Sequence, residues 1–481
     1  MAAHTIYMKL SLLMMDGVKG TYIAYLGAFL TSIGLSTSQT GLITGIRLIP
    51  GFLCAPAWGA LVDHTGRRRL IMCILMIGSL LTLFPLPWIA RFSETKLKKQ
   101  SNCSSWNNTE SPPFKDVECN KNSDGLFWVM LIVLSVSTCF DQPAHALIDS
   151  VVVSIVQGMK KSVNYGQQKA FGSIGFALGN VLAGIAADNY TNATLSSYSA
   201  IFFVFLSFLL GAFPFFFKVI DQVEGQIKNR RENENKENEI ETIQTASRFY
   251  AWQLVAKTCT NMDNFIFLFT VFLQGIMSAN MFIFLFVFME KELDASKTNM
   301  GLSMGVAATS EIAVFASSPV LFRLFRGKIP CLIIGVSSYF VQFILISFVN
   351  NPWLILPIRL NHAIGFGLFW VASIEQTNII SPKEIAFMMF GLLNGLFYSL
   401  GGCVGTIGGG ALYDRFGARV FFRGLAACSF AWTVFLLLYF YVWKRFVNKC
   451  FRSSEGDEEQ HEKNEKIEKN TSEVVVNDAA L

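Results

Sequence analysis

The sequence GALVDHTGRRR, residues 59–69, places one acid and three arginines between two long apolar runs. Each flanking run has about 20 mostly apolar residues, which is the length that an α-helix needs to cross a bilayer. Charges inside hydrocarbon are costly, so such a cluster marks a turn in water between two membrane spans. This pair of apolar runs with a charged turn predicts helices that cross a membrane, and the same pattern recurs along the chain.

The composition agrees with a membrane protein. Of 481 residues, 52% are hydrophobic, only 15% are charged, and 45 are phenylalanine. A soluble chain of this size could not cover so much apolar surface. The lysines and arginines fall in short clusters between apolar runs, and the net charge is only +5, so a nucleic-acid partner is not expected. The expected fold class is an all-α polytopic protein in a lipid bilayer.

Twelve apolar runs of about 20 residues are expected to be transmembrane spans. We number them 1–12; they begin near Ser11, Thr40, Leu70, Gly125, Gly166, Tyr198, Phe265, Met300, Cys331, Trp353, Ile385 and Val420. An even number places both termini on one side of the membrane. The short loops on that side hold clustered Lys and Arg, which predicts that both termini are cytoplasmic and that residues 59–69 form a cytoplasmic turn.

The loop at residues 92–124 is expected on the opposite, outer side, although it contains five lysines. Three glycosylation sequons fall on that side, at Asn102, Asn107 and Asn192. Cys103 and Cys119 lie in the same loop and could form a disulfide. Glycosylation implies passage through the secretory route, so the expected location is the plasma membrane or an endosomal or lysosomal membrane.

The chain repeats itself with two offsets. Residues 40–46 resemble residues 300–306 at an offset of 260, whereas Asp149 matches Glu375 and Asp188 matches Asp414 at an offset of 226. The outer loop at residues 92–124 is an insertion of about the length that accounts for the change in offset. The repeat predicts two parallel six-helix halves.

These halves give the domain organisation. The first bundle is expected at residues 1–220 and the second at residues 251–446. A polar segment between them, residues 221–250, is predicted to be a mostly disordered or loosely helical cytoplasmic linker, and residues 447–481 a disordered cytoplasmic tail.

The turn at residues 59–69 resembles the G-x-L-x-D-x-x-G-R-x-x motif of the major facilitator superfamily, through Gly59, Asp63, Gly66, Arg67 and Arg68. In that family the acid and arginines hold the cytoplasmic side closed. The resemblance therefore implies a cytoplasmic gate. The alternative is a simple positively charged turn with an acid that ends a helix.

A second resemblance is to the branch of that superfamily that contains lactose permease and nucleoside symporters, and to its animal relatives, the "major facilitator superfamily domain-containing" proteins. The sequence YGQQKAFGSIGFAL, residues 165–178, is similar to the branch motif F-G-x-x-R-x-x-G-x-x-G-W-A-L. The chain has Lys169 where the branch has its sugar-binding arginine, and Phe176 where it has a sugar-stacking tryptophan. A lysine cannot form the same planar bidentate contact, so galactoside binding is not expected.

Ionisable residues inside the predicted spans are candidate sites, because each costs at least about 2.5 kcal/mol in hydrocarbon unless it faces a partner or a cavity. The candidates are Asp16, Lys19, Arg47, Asp141, His145, Asp149, Glu311, Arg359, His362 and Glu375. Asp16 and Lys19 could neutralise each other on one helical face. Arg47 could instead extend to the outer membrane interface, and His145 could be a hydrogen-bonded core residue.

Glu311 is the first candidate for a proton carrier, since it lies about eleven residues into span 8 and hence near the middle of the membrane. An acid there can be neutral in a closed site and ionise when the site opens to water. It could also have a structural role as a hydrogen-bond donor. Asp149 and Glu375 follow, because the repeat places them at equivalent depths, unless they are acids in water at the cytoplasmic end.

Span 10 carries a possible binding stripe. Arg359, His362, Phe366 and Trp370 fall on one helical face and combine a cation, an imidazole and aromatic rings. This combination suits a polar organic solute with rings or hydroxyls. The alternative is a packing stripe whose arginine reaches the outer interface.

The function expected from these features is secondary active transport by alternating access, as proton-coupled symport of a polar organic solute that is sugar- or nucleoside-like. The expected partners are the solute, protons and the bilayer. The alternative is a receptor or accessory protein that no longer transports and that binds a protein partner through its outer loop. Neither a metal, a cofactor nor an enzymatic activity is expected from the motifs.

Overall fold

The structure is a computed structural model, and it describes residues 2–91, 115–158, 165–190, 196–234, 248–382 and 385–443. The chain is helical throughout these ranges, and they contain no β-strand. Eleven helical runs within them are long and apolar enough to cross a membrane. These runs are spans 2–12 of the expected twelve.

Span 1 is the exception, because its helix Ala2–Tyr22 carries three charged residues, Lys9, Asp16 and Lys19. The helices of the first six spans are Ala2–Tyr22 and Leu26–Ser32 (span 1), Thr37–Ile46 and Leu48–Thr65 (span 2), Arg68–Leu83 (span 3), Lys115–Gly158 (span 4), Tyr165–Asn189 (span 5) and Ser199–Glu234 (span 6). Gly66 ends the second helix of span 2 with a φ of 63°, a left-handed conformation that glycine adopts without strain.

The remaining spans follow a helix at Arg248–Thr260. Their helices are Met262–Leu293 (span 7), Lys297–Leu324 (span 8), Lys328–Phe348 (span 9), Pro352–Leu354, Ile355–Arg359, Ala363–Leu368 and Phe369–Ile380 (span 10), Ala386–Asn394, Gly395–Gly401 and Gly402–Phe416 (span 11), and Ala418–Leu437 and Leu438–Trp443 (span 12). The segments Ala363–Leu368 and Gly395–Gly401 are π-helical turns. Such turns occur often at functional sites.

The described residues up to Ala427 form one compact unit. Span 1 packs against spans 5 and 6, and span 4 packs against spans 2 and 3. In the second half, span 10 packs against spans 8 and 9, and span 7 packs against span 11. The halves meet where span 2 contacts span 11 and where span 5 contacts span 8.

The described residues 428–443, which belong to the helices of span 12, form a second unit. The helix of span 6 continues to Glu234, so the first part of the predicted linker is helical, and residues 235–247 lie outside the described ranges. The bundle and linker boundaries otherwise stay predictions.

The outer surface of the spans is apolar. Leu53, Leu81, Ile132 and Phe348 are each between 60% and 68% exposed, which would be costly in water. These side chains fit a hydrocarbon environment. The fold confirms the expected all-α membrane protein with two six-helix halves.

Candidate functional site

A cluster of charged side chains lies inside the first half, centred on Lys169 of span 5. Its Nζ is 3.0 Å from Oδ2 of Asp16 and 3.0 Å from Oδ1 of Asp149. Asp16 belongs to span 1 and Asp149 to span 4, so the lysine joins three spans. Gly172 permits this approach, because a Cβ there would collide with the carboxylate of Asp16. We call Asp16, Asp149 and Lys169 the first-half cluster.

The first-half cluster continues through His145 of span 4, whose Nδ1 lies 3.7 Å from Oδ1 of Asp16. On its other side, Nε2 of His145 lies 3.7 Å from Oδ1 of Asp141. Tyr22 donates its hydroxyl hydrogen to Oδ2 of Asp141 over 2.7 Å. The result is a chain of polar groups that links spans 1, 4 and 5 within the membrane.

These contacts bear on two alternatives from the sequence: that Asp16 pairs with Lys19, and that Arg47 extends to the outer membrane interface. Asp16 binds Lys169, whereas Lys19 interacts electrostatically with Asp141. Arg47 is only 5% exposed and also interacts electrostatically with Asp141. Arg47 is thus buried in the first half instead of extending to the membrane interface.

The second half contains a different arrangement around Glu311 of span 8. Oε1 of Glu311 lies 3.0 Å from Nε2 of His362 in span 10, and the two side chains are 12% and 1% exposed. Arg359, one turn before His362, is 0% exposed and interacts electrostatically with Glu311. We call Glu311, Arg359 and His362 the second-half cluster.

The second-half cluster has unused hydrogen-bonding capacity. Nη2 of Arg359 donates to the sulfur of Met304 over 3.1 Å. Nε and Nη1 of Arg359 and Nδ1 of His362 have no hydrogen-bond partner among the described residues. A buried polar group without a partner costs about 1–3 kcal/mol, so these atoms have hydrogen-bonding capacity that a water or a solute could use.

The rings of span 10 form a stacked ladder that starts at this cluster. The centroids of His362 and Phe366 are 5.3 Å apart with an angle of 4° between the ring planes. Phe366 and Trp370 are 6.1 Å apart at 6°. Trp370 then contacts Phe397 and Tyr398 of span 11 at 5.1 and 5.2 Å. Phe366, Phe397 and Tyr398 lie in the two π-helical turns, which bring these rings together.

Tyr398 of span 11 interacts with both clusters. Its hydroxyl interacts electrostatically with Glu311 of the second half and with Lys169 and Asp16 of the first half. Its side chain is also accessible, since the residue is 47% exposed. The hydroxyl of Tyr398 is therefore within electrostatic reach of charges in both halves, and its ring contacts Trp370 and Phe397.

Other predicted residues lie elsewhere. Glu375 is 44% exposed at its side chain and is 3.5 Å from Nζ of Lys328, at the opposite end of span 10 from Arg359. Thirteen residues separate it from His362, which is about 20 Å along a helix. Phe176 packs against span 1, where its carbonyl oxygen occupies the space that a Cβ on Gly20 would need.

The predicted gate and outer-loop sites are only partly described. Arg67 and Arg68 follow the left-handed Gly66, and Gly59 has open space around it. The side chain of Asp63 lies outside the described atoms. The same holds for Asn102, Asn107, Asn192, Cys103 and the side chain of Cys119, so the glycosylation, disulfide and gate predictions remain predictions.

Three contributors to the site were missed by the sequence analysis. Tyr22 binds Asp141 but has no sequence signal beyond an unremarkable position in span 1. Phe397 and Tyr398 form an adjacent aromatic pair within the glycine-rich span 11, and that pair was the available signal.

The fold and these clusters define the class: an integral, multi-pass membrane protein with the fold of the major facilitator transporters. The chain belongs to the MFS_1-like family, whose model matches residues 5–424. This membership confirms the family that the motifs indicated.

Curated relatives include two Xenopus laevis proteins, major facilitator superfamily domain-containing protein 6-like proteins A and B. Each is 22% identical to this chain over 317 residues, or 65% of it. The chain spans about half the length of these curated relatives, 49% and 48% respectively.

Solved structures with the same fold include the nucleoside transporter NupG, with a TM-score of 0.65 and 14% identity over 91% of this chain and 99% of NupG. A second is a bacterial homologue of the human lysosomal transporter Spinster, in an inward-facing and unoccupied conformation. Its TM-score is 0.61, with 12% identity over 91% of this chain and 95% of that one. At this identity the similarity establishes the fold alone.

Proposed function

We propose that this protein is a secondary active transporter that couples proton movement to symport of a polar, ring-containing solute by alternating access. The observation that carries the proposal is the buried pair of Glu311 and His362, with the unmatched donors of Arg359 beside it. An acid at this depth has a stable neutral form and an ionised form that needs a cation nearby. Here the neutral acid has His362 as its partner, and the ionised acid has Arg359.

The proton step follows from those two partners. When protonated, Glu311 donates its hydrogen to Nε2 of His362, 3.0 Å away. When ionised, it is attracted to the guanidinium of Arg359. Opening the site to water on one side allows the proton to leave, and opening on the other allows it to return. Glu311 can therefore carry one proton in each cycle.

The solute site is expected beside Tyr398, between the two clusters. Trp370 and Tyr398 offer ring surfaces, which favour a planar group or the apolar face of a sugar. Lys169, Asp16 and Asp149 offer donors and acceptors from the first half. A solute that contacts both halves would be bound best when the halves close around it.

Uptake in proteoliposomes tests the function. Radiolabelled sugars and nucleosides would be offered to the full-length protein with an inward proton gradient, and then without one. The proposal expects at least one solute to accumulate only with the gradient. Equal accumulation in both conditions would exclude proton coupling.

A non-transporting receptor or accessory protein is the alternative, and one observation favours it. Lys169, which stands at the family's sugar-binding position, is already held by two carboxylates. The test needs protein that is folded, as shown by its thermal unfolding transition. If such protein moved none of the solutes, and the loop at residues 92–124 bound a cell-surface partner, the alternative would replace the proposal.

A further inference from the structure

Two carboxylates join the halves at one end of the bundle. Asp188, at the end of span 5, accepts the backbone N–H groups of Lys297 and Thr298 at 2.9 and 2.7 Å. These residues begin span 8 in the other half. Each carboxylate oxygen takes one of the two successive amides.

The same contact occurs a second time in the opposite direction. Asp414, at the end of span 11, accepts the backbone N–H groups of Thr37 and Ser38 at 3.1 and 2.6 Å. It also accepts the hydroxyl hydrogen of Thr37. Thr37 and Ser38 begin span 2 in the first half. Each half thus supplies an acid that binds the first turn of a helix in the other.

These acids complete the capping of both helices. The first four N–H groups of a helix have no partner within it. Ser36 and Ser296 accept the third amide of spans 2 and 8 with their hydroxyls, and their carbonyls accept the fourth. The first and second amides are satisfied by Asp414 and Asp188. Separation of the halves at this end would expose four helix amides and two carboxylates.

The two contacts are related by the sequence repeat. Asp188 and Asp414 are 226 residues apart, and the capped residues Thr37 and Lys297 are 260 apart, which are the two repeat offsets. The packing beneath them repeats as well. A Cβ on Gly41 would collide with the carbonyl of Thr406, and one on Gly301 would collide with that of Asn180. Asn180 and Thr406 are again 226 apart.

We propose that Asp188 and Asp414 form a paired latch that holds this end of the bundle closed and is released when the halves separate. By the predicted topology it is the outer end, opposite the predicted cytoplasmic gate. A negative charge at a helix N-terminus is favourable, and two such contacts must break together. The latch rests on the alternating access of the proposed function, but not on its solute or its proton.

The latch can be tested without any solute. Thr406 is 2% exposed and lies under one latch contact, so Thr406→Cys in the full-length protein reports separation through its reaction with an impermeant maleimide in proteoliposomes. The labelling of the same variant without the added cysteine, which comes from the native cysteines, is subtracted as background. Asp188→Ala and Asp414→Ala should each raise the labelling rate roughly three- to tenfold, and the double variant should exceed both. Asn variants should fall between, since an amide oxygen can replace only one of the two acceptors.

Glu292→Ala is the matched control. Glu292 is an acid near the same end, but its partner Arg419, 3.5 Å away, belongs to the same half. Labelling in this variant should equal that of the parent. Unchanged labelling in the double latch variant, or an equal rise in Glu292→Ala, would overturn the latch. Asn180→Cys, on the other contact, gives a second reporter in case Thr406→Cys does not fold.

The outcomes separate the latch from the transport proposal. Raised labelling without flux of any solute would support the latch and contradict the proposed symport. Gradient-driven uptake with unchanged labelling in the Asp188→Ala, Asp414→Ala protein would support transport and contradict the latch.

Discussion

The two polar clusters differ in how completely their charges are paired. In the first-half cluster, Lys169 lies between two carboxylates at 3.0 Å each. In the second-half cluster, one acid meets a buried histidine, and the arginine beside it keeps two N–H groups without a partner among the described residues. Charges that pair with one another hold their groups in place, whereas a group with unused hydrogen-bonding capacity can change its protonation or accept a ligand. The contrast concerns the charged groups, because both ring nitrogens of the neighbouring His145 also have no hydrogen-bond partner among the described residues. This difference supports our proposal that the first-half cluster anchors its spans and that proton exchange takes place in the second half.

Substitution of Glu311 should have the largest effect, because it removes the only acid of the second-half cluster. Glu311→Gln keeps a hydrogen bond to His362 but cannot ionise. Gradient-driven accumulation of the solute should fall roughly 5- to 150-fold, which is the usual range of coupling between two ligands. Exchange of solute across vesicles at equal pH should persist. Loss of exchange together with accumulation would mean that Glu311 binds the solute or supports the fold.

Lys169→Met should destabilise the protein, since it removes the cation that lies 3.0 Å from both Asp16 and Asp149. Loss of one partner of a buried pair costs 3–5 kcal/mol, and Lys169 is 35% exposed, so about 2 kcal/mol is expected in the free energy of unfolding. Denaturant unfolding of the purified protein measures it. Lys169→Arg is the control and should retain most of the stability.

The matched change in the second half should cost less. Arg359→Met removes two unmatched buried donors, and the remaining Glu311 can become neutral, so the expected loss is about 1 kcal/mol or less. The same unfolding measurement compares the two. A larger loss for Arg359→Met than for Lys169→Met would reverse the proposed assignment of roles.

Trp370→Ala should weaken solute binding while leaving both charged clusters intact. Loss of its ring surface is expected to raise KM about tenfold with little change in the maximal rate. Trp370→Phe should keep most of the affinity. Trp128 is 58% exposed on the apolar surface, and Trp128→Ala should therefore leave KM unchanged.

The smallest expected effects on stability and uptake come from substitutions of Asp149 and Glu375, the two acids that the repeat places at equivalent positions. Asp149→Asn leaves Lys169 with Asp16 and should cost about 0.5–1 kcal/mol of stability, whereas Glu375→Gln breaks only an exposed pair and should cost close to zero. Gradient-driven uptake should stay within about twofold of the parent for Glu375→Gln. A strong loss there would place proton exchange near the end of span 10.

The fold was predictable because the length of each apolar run and the offsets between repeated positions can be read directly from the sequence. Spans 2–12 appear in the predicted order, and the two offsets reappear in the symmetric contacts of Asp188 and Asp414. The site was less predictable, since pairing depends on distances between spans. Spacing along span 1 left open whether Asp16 and Lys19 neutralise each other or belong to a site. The close approach of span 5 at Gly172 gives Asp16 a different partner.

Residue types identified Glu311 and His362 separately, but not as a pair. They lie on different spans, 51 positions apart, and no periodicity within either span links them. The role of Tyr398 depends on π-helical turns in spans 10 and 11, which composition does not reveal. Sequence patterns located the groups that are costly in a membrane, and packing determined which of them meet.

The most direct test of the central claim, that proton exchange occurs in the second half, is infrared difference spectroscopy of the reconstituted protein during a pH titration. A protonated carboxylic acid has a C=O band that disappears on ionisation. The account predicts that one such titrating band is absent in Glu311→Gln and retained in Asp149→Asn. A band that persists in Glu311→Gln and is lost in Asp149→Asn would place the proton in the first-half cluster and contradict the account.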